Sequence, residues 1–208
     1  MIDLSGVEYF GKGGVRACYV HPENPDRCIK ILQPAILGNP YVLKKAHKQV
    51  SREQAYYKRL QKRGISWSHL AQSYGTIETS EGPGDVFDLI RDFDGEVSKT
   101  LEYYFADESL TGKYFVDLKK GLRDLFQYIK NEQIITTNIK WPNLVYKRLS
   151  EEKGQIIIID DIGTAVLIPL VYYFESQAKT SIERKIDRFK ELSPLEFPQN
   201  KLIGDLFK

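Results

Sequence analysis

Cys28-Ile29-Lys30-Ile31, flanked by Arg27 and Leu32, is the stretch on which the fold turns. Alternation along a strand puts Cys28 and Lys30 on one face and the two isoleucines on the other. A lysine in such a strand ordinarily reaches solvent at a sheet edge. Downstream, Leu43, Ala46, Val50, Tyr57 and Leu60 recur at spacings of three and four, which predicts a helix from about Tyr41 to Arg63 with one apolar face. Glu53 falls in the same series. A carboxylate on a buried face is costly unless paired, and a lysine from a neighbouring strand is its natural partner. A Lys30–Glu53 pair is therefore expected, against the plainer alternative of a border glutamate that reaches water.

Upstream, strands are expected at Val7–Phe10 and Arg16–His21, with the turn residues His21 to Asp26 joining the latter to Cys28–Leu32. Between the first two lies Gly11-Lys12-Gly13-Gly14. Glycine-rich turns let backbone amides approach phosphate oxygens closely, although such turns also serve purely conformational ends. The turn lacks the Gly-Lys-Ser/Thr ending of a Walker loop. Beyond the helix, strands at Gln72–Thr79 and Asp85–Ile90 flank Glu81-Gly82-Pro83-Gly84, a second expected hairpin turn.

After Phe93 the character becomes helical. Phe115, Leu118, Leu122, Leu125 and Ile129 stripe a helix over Lys113–Asn131. Short strands at Leu144–Lys147 and Gln155–Ile159 surround a polar turn. A last helix is expected to begin with Thr180 and Glu183 as a capping box ahead of Ile186 and Phe189. Five strands with one inserted helix, then a mainly helical half, is α+β rather than doubly wound. The boundary falls near Ile90–Gly95, dividing residues 1–92 from 93–208.

The 208 residues suit one large domain or two coupled lobes, and the 42% hydrophobic and 28% charged fractions are those of a globular chain. A net charge of +2 is too mild to imply nucleic acid. Lys44-Lys45-Ala46-His47-Lys48 and Lys58-Arg59 with Lys62-Arg63 read as the solvated face of the helix. Cys18 and Cys28 make no disulfide framework and no metal spacing. Met1–Gly6 lacks the basic start and apolar run of a secretory leader. The stretch from Ile156 to Phe174 is broken by Asp160, Asp161 and Pro169 into pieces shorter than the ~20 apolar residues a bilayer requires. A cytoplasmic setting, with no membrane span, is the expectation.

Two further segments carry chemistry. Asn138-Ile139-Lys140-Trp141-Pro142-Asn143 is a polar loop ahead of a strand, and Asp160-Asp161-Ile162-Gly163 ends a strand of isoleucines. Two acids beside an Asn can hold Mg²⁺, which takes one or two carboxylates plus phosphate oxygens; the plain alternative is a strand-ending turn.

In this order, the features resemble the compact bilobal protein-kinase fold, with a five-stranded antiparallel N-lobe and a reduced, mainly helical C-lobe. Gly11-Lys12-Gly13-Gly14-Val15-Arg16-Ala17-Cys18 resembles Gly-x-Gly-x-x-Gly-x-Val, with Arg16 at the third glycine. Arg27-Cys28-Ile29-Lys30 is similar to Val-Ala-Ile-Lys, Asn138 to Asn143 to the end of the catalytic loop, and Asp161-Ile162-Gly163 to Asp-Phe-Gly. More narrowly, Cys18-Tyr19-Val20-His21-Pro22-Glu23, Arg27 to Ile31, Asp92-Phe93-Asp94-Gly95 and Ile162-Gly163 resemble the bacterial PhoP regulatory network (YrbL-like) family over nearly the whole chain.

The resemblance implies ATP and Mg²⁺ as cofactors. Gly11, Lys12, Gly13, Gly14 and Lys30 would hold phosphates, with Glu53 fixing Lys30. Cys18 and Cys28 would roof the adenine, where their oxidation or alkylation could block nucleotide entry, unless both are simply small buried hydrophobes. The hinge near Leu89–Asp94, with Ile90 and Asp92, would bond the adenine through its backbone. Asn143 with Asp160 or Asp161 would hold metal: counting back from Gly163 selects Asp161, the pattern Asp-Asn-Ile-Gly selects Asp160. Lys140 would neutralise the transferred group.

The catalytic-loop Asp is Asn138 here, and an amide orients a hydroxyl but cannot act as a base. Only 45 residues follow Gly163, without Ala-Pro-Glu, so a small-molecule acceptor, or none, is favoured over a peptide. Two readings follow: a phosphotransferase acting on an unknown small-molecule or protein acceptor, or a pseudokinase working through partners.

Overall fold

The computed structural model describes residues 1–165 and 170–208; residues 166–169, within the apolar stretch that begins at Ile156, lie outside the described residues. The chain divides into two compact units, Met1–Gly64 with Ala71–Ile90, and Ile65–Leu70 with Arg91–Lys208.

The first unit is built on strands β1 (Gly11–Lys12), β2 (Arg16–His21), β3 (Asn24–Leu32), β4 (Ser73–Thr79) and β5 (Gly82–Asp88). They form an antiparallel sheet in the order β1-β2-β3-β5-β4. Val7–Phe10 is not a strand; pairing starts at Gly11, opposite Cys18, and the Phe10 N–H donates to the Cys18 carbonyl. The β2–β3 turn is tighter than the run from His21 to Asp26 suggests, because His21 already pairs with Asn24. The β4–β5 turn likewise lies at Ser80–Glu81, and Gly82, Pro83 and Gly84 belong to β5. Gly84 serves packing there: a Cβ would stand 2.4 Å from Ile29 Cγ2. Pro83 is tolerated because the β3 register ends at Gly84, leaving β5 a neighbour on one side only.

A four-residue helix α1 (Pro34–Leu37) precedes α2 (Pro40–Arg63). Asn39 caps α2, its side chain accepting from the N–H groups of Tyr41 and Val42, and Pro40 takes the first turn, where its missing N–H costs nothing. Ala46, Glu53, Tyr57 and Leu60 are buried in phase, with Tyr56 added, while Lys44, Lys45, Lys48, Lys58, Lys62 and Arg63 are exposed. The opposite sheet face carries a core of Leu4, Ile29, Ile31 and Val86.

In the second unit, α3 (Leu101–Phe105), α4 (Glu108–Lys113), α5 (Phe115–Asn131) and α6 (Glu175–Glu196) accompany a hairpin of β6 (Leu144–Arg148) and β7 (Gly154–Ile158). Leu118, Leu122, Leu125 and Ile129 of α5 are buried as the stripe requires. Helix α6 starts at Glu175, so Thr180 and Glu183 lie in its interior and form no capping box. Glu175, Gln177, Ala178 and Lys179 are good helix formers and extend the helix beyond that signal. Among the described residues, no helix is long and apolar enough to cross a membrane.

Candidate functional site

Polar constellations stand in both units. In the first unit, β2–β3 register sets Cys18 opposite Lys30, and β3–β5 register sets Lys30 opposite Asp85 and Cys28 opposite Phe87. Arg16 stands on the same face, two residues before Cys18. Four charged side chains are thereby buried together: Arg16, Lys30, Glu53 and Asp85 are 8, 5, 6 and 4% exposed. Arg16 reaches Glu53 at 2.6 Å and Asp85 at 3.4 Å, and the Thr76 hydroxyl donates to Asp85 at 2.7 Å. The Lys30 ammonium lies 4.5 Å from the Phe87 ring centre. Two cations thus balance two carboxylates, which is what burial of charge demands.

The helical phase of Glu53 points to this cluster correctly. Arg16 and Asp85 are the members that sequence reasoning misses. Arg16 lies inside β2 as a counter-ion to Glu53 and Asp85. Asp85 alternates with Phe87 on the face that Lys30 shares, a signal the expected strand Asp85–Ile90 already contains but that names no partner.

Gly11, Gly13 and Gly14 lie at the end of the sheet. None has a positive φ, and a Cβ on Gly11 or Gly14 would meet nothing within 4 Å. Neither chain geometry nor crowding within the protein explains the absence of side chains there. The Gly13 N–H donates to the Arg16 carbonyl at 2.9 Å, and Gln33 Nε2 donates to the Gly13 carbonyl at 2.6 Å, which ties the turn to the end of β3. Lys12 lies 6.0 Å from the Tyr9 ring centre.

Cys28 is buried and its thiol, pushed up to about 12 mainly by that burial, donates to the Asp88 carbonyl at 3.7 Å. Cys18 is half-buried. Ile90 is half-buried at the end of the first unit. The N–H groups of Leu89, Asp92 and Phe93, in the expected hinge, are engaged by the carbonyls of Asp26, Glu96 and Arg148. The Asp92 side chain holds the fold together at this point. Its Oδ1 accepts from the Ser98 hydroxyl and the Arg148 N–H, and its Oδ2 from Arg148 Nε at 2.6 Å. These bonds, with that to Asp94, hold Arg148 firmly protonated.

The second constellation grows from the open end of the β6–β7 hairpin. Leu144 pairs with Ile158, so the residues preceding β6 and following β7 must meet. Asn143 Nδ2 donates to Asp161 Oδ2 at 2.9 Å, and the Ile159 N–H donates to the Asn143 carbonyl at 2.9 Å. Thr137 N–H donates to the Asp161 carbonyl at 2.7 Å and Gly163 N–H to that of Ile135 at 2.6 Å, around a Thr136–Ile162 bridge. A three-residue 3₁₀ turn, Trp141–Asn143, is pinned by Trp141, whose indole donates to Ser193 Oγ at 2.7 Å. Asn138 and Lys140 are exposed.

Asp161 has φ +63°, a left-handed conformation costing roughly 1–2 kcal/mol for a residue with a Cβ. Such strain collects where a side chain must point somewhere particular. Asp160 Oδ1 accepts the Asp161 N–H at 2.8 Å, and the Asn143 amide is joined to the Asp161 carboxylate. Among the described residues, no three His, Cys, Asp or Glu side chains gather as a metal cluster. An Asn with one or two carboxylates is a donor set suited to Mg²⁺ that draws its remaining ligands from phosphate and water. Behind the loop, Lys185 donates to the Thr136 carbonyl, and burial lowers its ammonium to about 8.

Comparison with known proteins agrees over nearly the whole length. Residues 2–192 match the family model of PhoP regulatory network protein YrbL. YrbL of Escherichia coli strain K12 is 35% identical over 189 residues, covering 91% of this chain and 86% of that protein, and YrbL of Shigella flexneri matches to the same extent. The chain belongs to the PhoP regulatory network protein YrbL family.

Proposed function

We propose that this protein is a kinase-like module that binds Mg-ATP and transfers its phosphoryl group to a small-molecule acceptor. The observation that carries this reading is the Asn143–Asp161 contact at a left-handed Asp161. Strain and hydrogen bonding there direct an amide and a carboxylate to one place, as a metal site requires. The first unit, taken by itself, holds an open glycine turn without internal cause for its glycines, and Lys30 in a charge-balanced cluster with Glu53. Gly11, Lys12, Gly13, Gly14 and Lys30 hold phosphates; Asn143 and Asp161 hold Mg²⁺; Lys140 offsets charge on the transferred group. Bound Mg²⁺ would neutralise phosphate oxygens. Phosphoryl transfer depends mostly on positioning and charge, so Asn138 would only orient the acceptor hydroxyl, whose proton would pass to an oxygen of the transferred phosphoryl group in a slow reaction.

A second reading, a pseudokinase acting as a regulatory module, draws on Asn138 itself, because no amide can take the acceptor's proton. A regulatory role is compatible with the family.

Thermal unfolding with ATP, with and without Mg²⁺, tests both, each variant being compared with its own nucleotide-free midpoint. A Mg-dependent rise in the wild type, absent from Lys30→Ala and from an Asp160/Asp161 double alanine variant, supports Mg-nucleotide binding. Turnover of bound ATP then separates the transferase from the pseudokinase. No shift at saturating nucleotide sinks the nucleotide assignment.

A further inference from the structure

A cavity of about 440 Å³ lies within the first unit, between α2 and the sheet face that bears Lys30. That volume falls in the range of small-molecule sites, roughly 300–1,000 Å³. Its sheet side holds the buried ends of Arg16, Lys30 and Asp85, and its helix side holds His47, Gln54 and Lys58. Leu32, Val50 and Pro83 supply apolar wall, while Ser51 and Thr76 add hydroxyls.

The charge balance decides what such a cavity accepts. Asp85 is already satisfied, with one oxygen on the Thr76 hydroxyl and the other on Arg16. Glu53 is in contact with Arg16 at 2.6 Å. Arg16, Lys30 and Lys58 therefore face Asp85 and Glu53 with one positive charge in excess. Lys58 and His47 are exposed at the rim, where an anion meets them on entry. A buried guanidinium and ammonium beneath a cationic rim suit a phosphate, and the hydroxyl and amide groups above apolar walls suit a small hydroxylated skeleton.

We propose that this cavity is a binding site for a phosphate monoester of a small polyol or sugar. It lies on the α2 side of the sheet and calls on none of Gly11, Gly13 or Gly14, sharing only Lys30 with the proposed phosphate-holding residues. The site stands whether or not the protein binds nucleotide.

Titration calorimetry on the full chain tests it with three probes, glucose 6-phosphate, ribose 5-phosphate and glycerol 3-phosphate, and with glucose, inorganic phosphate and ADP alongside. At least one ester is expected to bind about tenfold or more tightly than either glucose or inorganic phosphate. Lys58→Glu is expected to weaken that ester about tenfold or more by reversing one rim charge, and to leave ADP binding unchanged. Ser51→Trp, on the exposed helix face, fills the mouth and should do the same.

If no ester binds, or if its binding is indifferent to both variants, the proposal is overturned, whatever ADP does. If an ester binds with the expected sensitivity while ADP does not bind, the cavity site stands and the nucleotide reading fails. If ADP binds and the variants weaken it as much as the ester, the ester occupies the nucleotide site and the separate cavity site is refuted.

Discussion

Replacing Arg16 with methionine tests the charge balance of the first unit directly. Arg16, Lys30, Glu53 and Asp85 are all at least nine-tenths buried, two cations against two carboxylates. Methionine keeps much of the side-chain volume and removes one charge, leaving a single buried cation for two buried carboxylates. Removing one partner from a buried ion pair costs about 3–5 kcal/mol. Coulomb's law agrees, giving about 4 kcal/mol for unit charges ~4 Å apart at an effective dielectric near 20. At about 2–4 °C per kcal/mol for a chain of this length, the midpoint should fall by about 6–20 °C.

The pH dependence identifies the cause of that fall. The surplus carboxylate in the variant takes up a proton more readily folded than unfolded. Folding then favours the protonated form, so the deficit is full at neutral pH and shrinks as the pH falls toward the unfolded carboxylate range near ~4. Urea unfolding at pH 7.5 and pH 5, on a scale of about 1–3 kcal/mol per molar, measures both values. Glu53→Gln added to Arg16→Met restores neutrality and should recover more than half of the loss. A deficit under about 1 kcal/mol, one that is equal at both pH values, or one that Glu53→Gln deepens would refute the charge argument.

The two thiols should differ sharply: at pH 8, Cys18 alkylates in the native protein while Cys28, buried and pushed up to about 12, does not, as peptide mapping after iodoacetamide would show. Gly84→Ala should destabilise the first unit by about 1–3 kcal/mol, because its Cβ would press on Ile29, which is fully buried. Denaturant unfolding checks this, and an unchanged midpoint would mean that β5 can shift away from β3. Lys185 loses its proton more easily folded than unfolded. Its contribution is therefore complete above its ordinary 10.5 and is lost as the pH falls through about 8. Wild-type stability measured relative to Lys185→Met should thus rise between those values, and a flat difference would contradict the burial argument.

The first unit shows where a single sequence is informative. Helical phase places Glu53 among Ala46, Tyr57 and Leu60, and all four are buried. Strand alternation puts Cys28 and Lys30 on one face, and both are buried. Arg16 is hidden because alternation gives an arginine to solvent unless its counter-ions are known, and those arrive from 37 and 69 residues away in the chain. Asp85 stands in an expected strand, but its place opposite Lys30 is set by the β3–β5 register, which a single sequence does not give. The Thr180–Glu183 signal misleads because a capping pattern can occur inside a helix, and the competence of Glu175 to Lys179 as helix formers outweighs it. The segments Asn138 to Asn143 and Asp160 to Gly163 are legible as polar motifs, but only hairpin register reveals that Asn143 is bonded to Asp161.

The hairpin has a kinetic consequence as well. Asn143 and Asp161 are 18 residues apart and are brought together by the short β6–β7 ladder, whereas Arg16 must find Asp85 across 69 residues. Local contacts close at small entropic expense and distant ones at greater expense. The proposed metal pair should therefore assemble early in folding, and the buried charge cluster late. A destabilised chain would surrender the cluster first, while the hairpin and its acidic end persist.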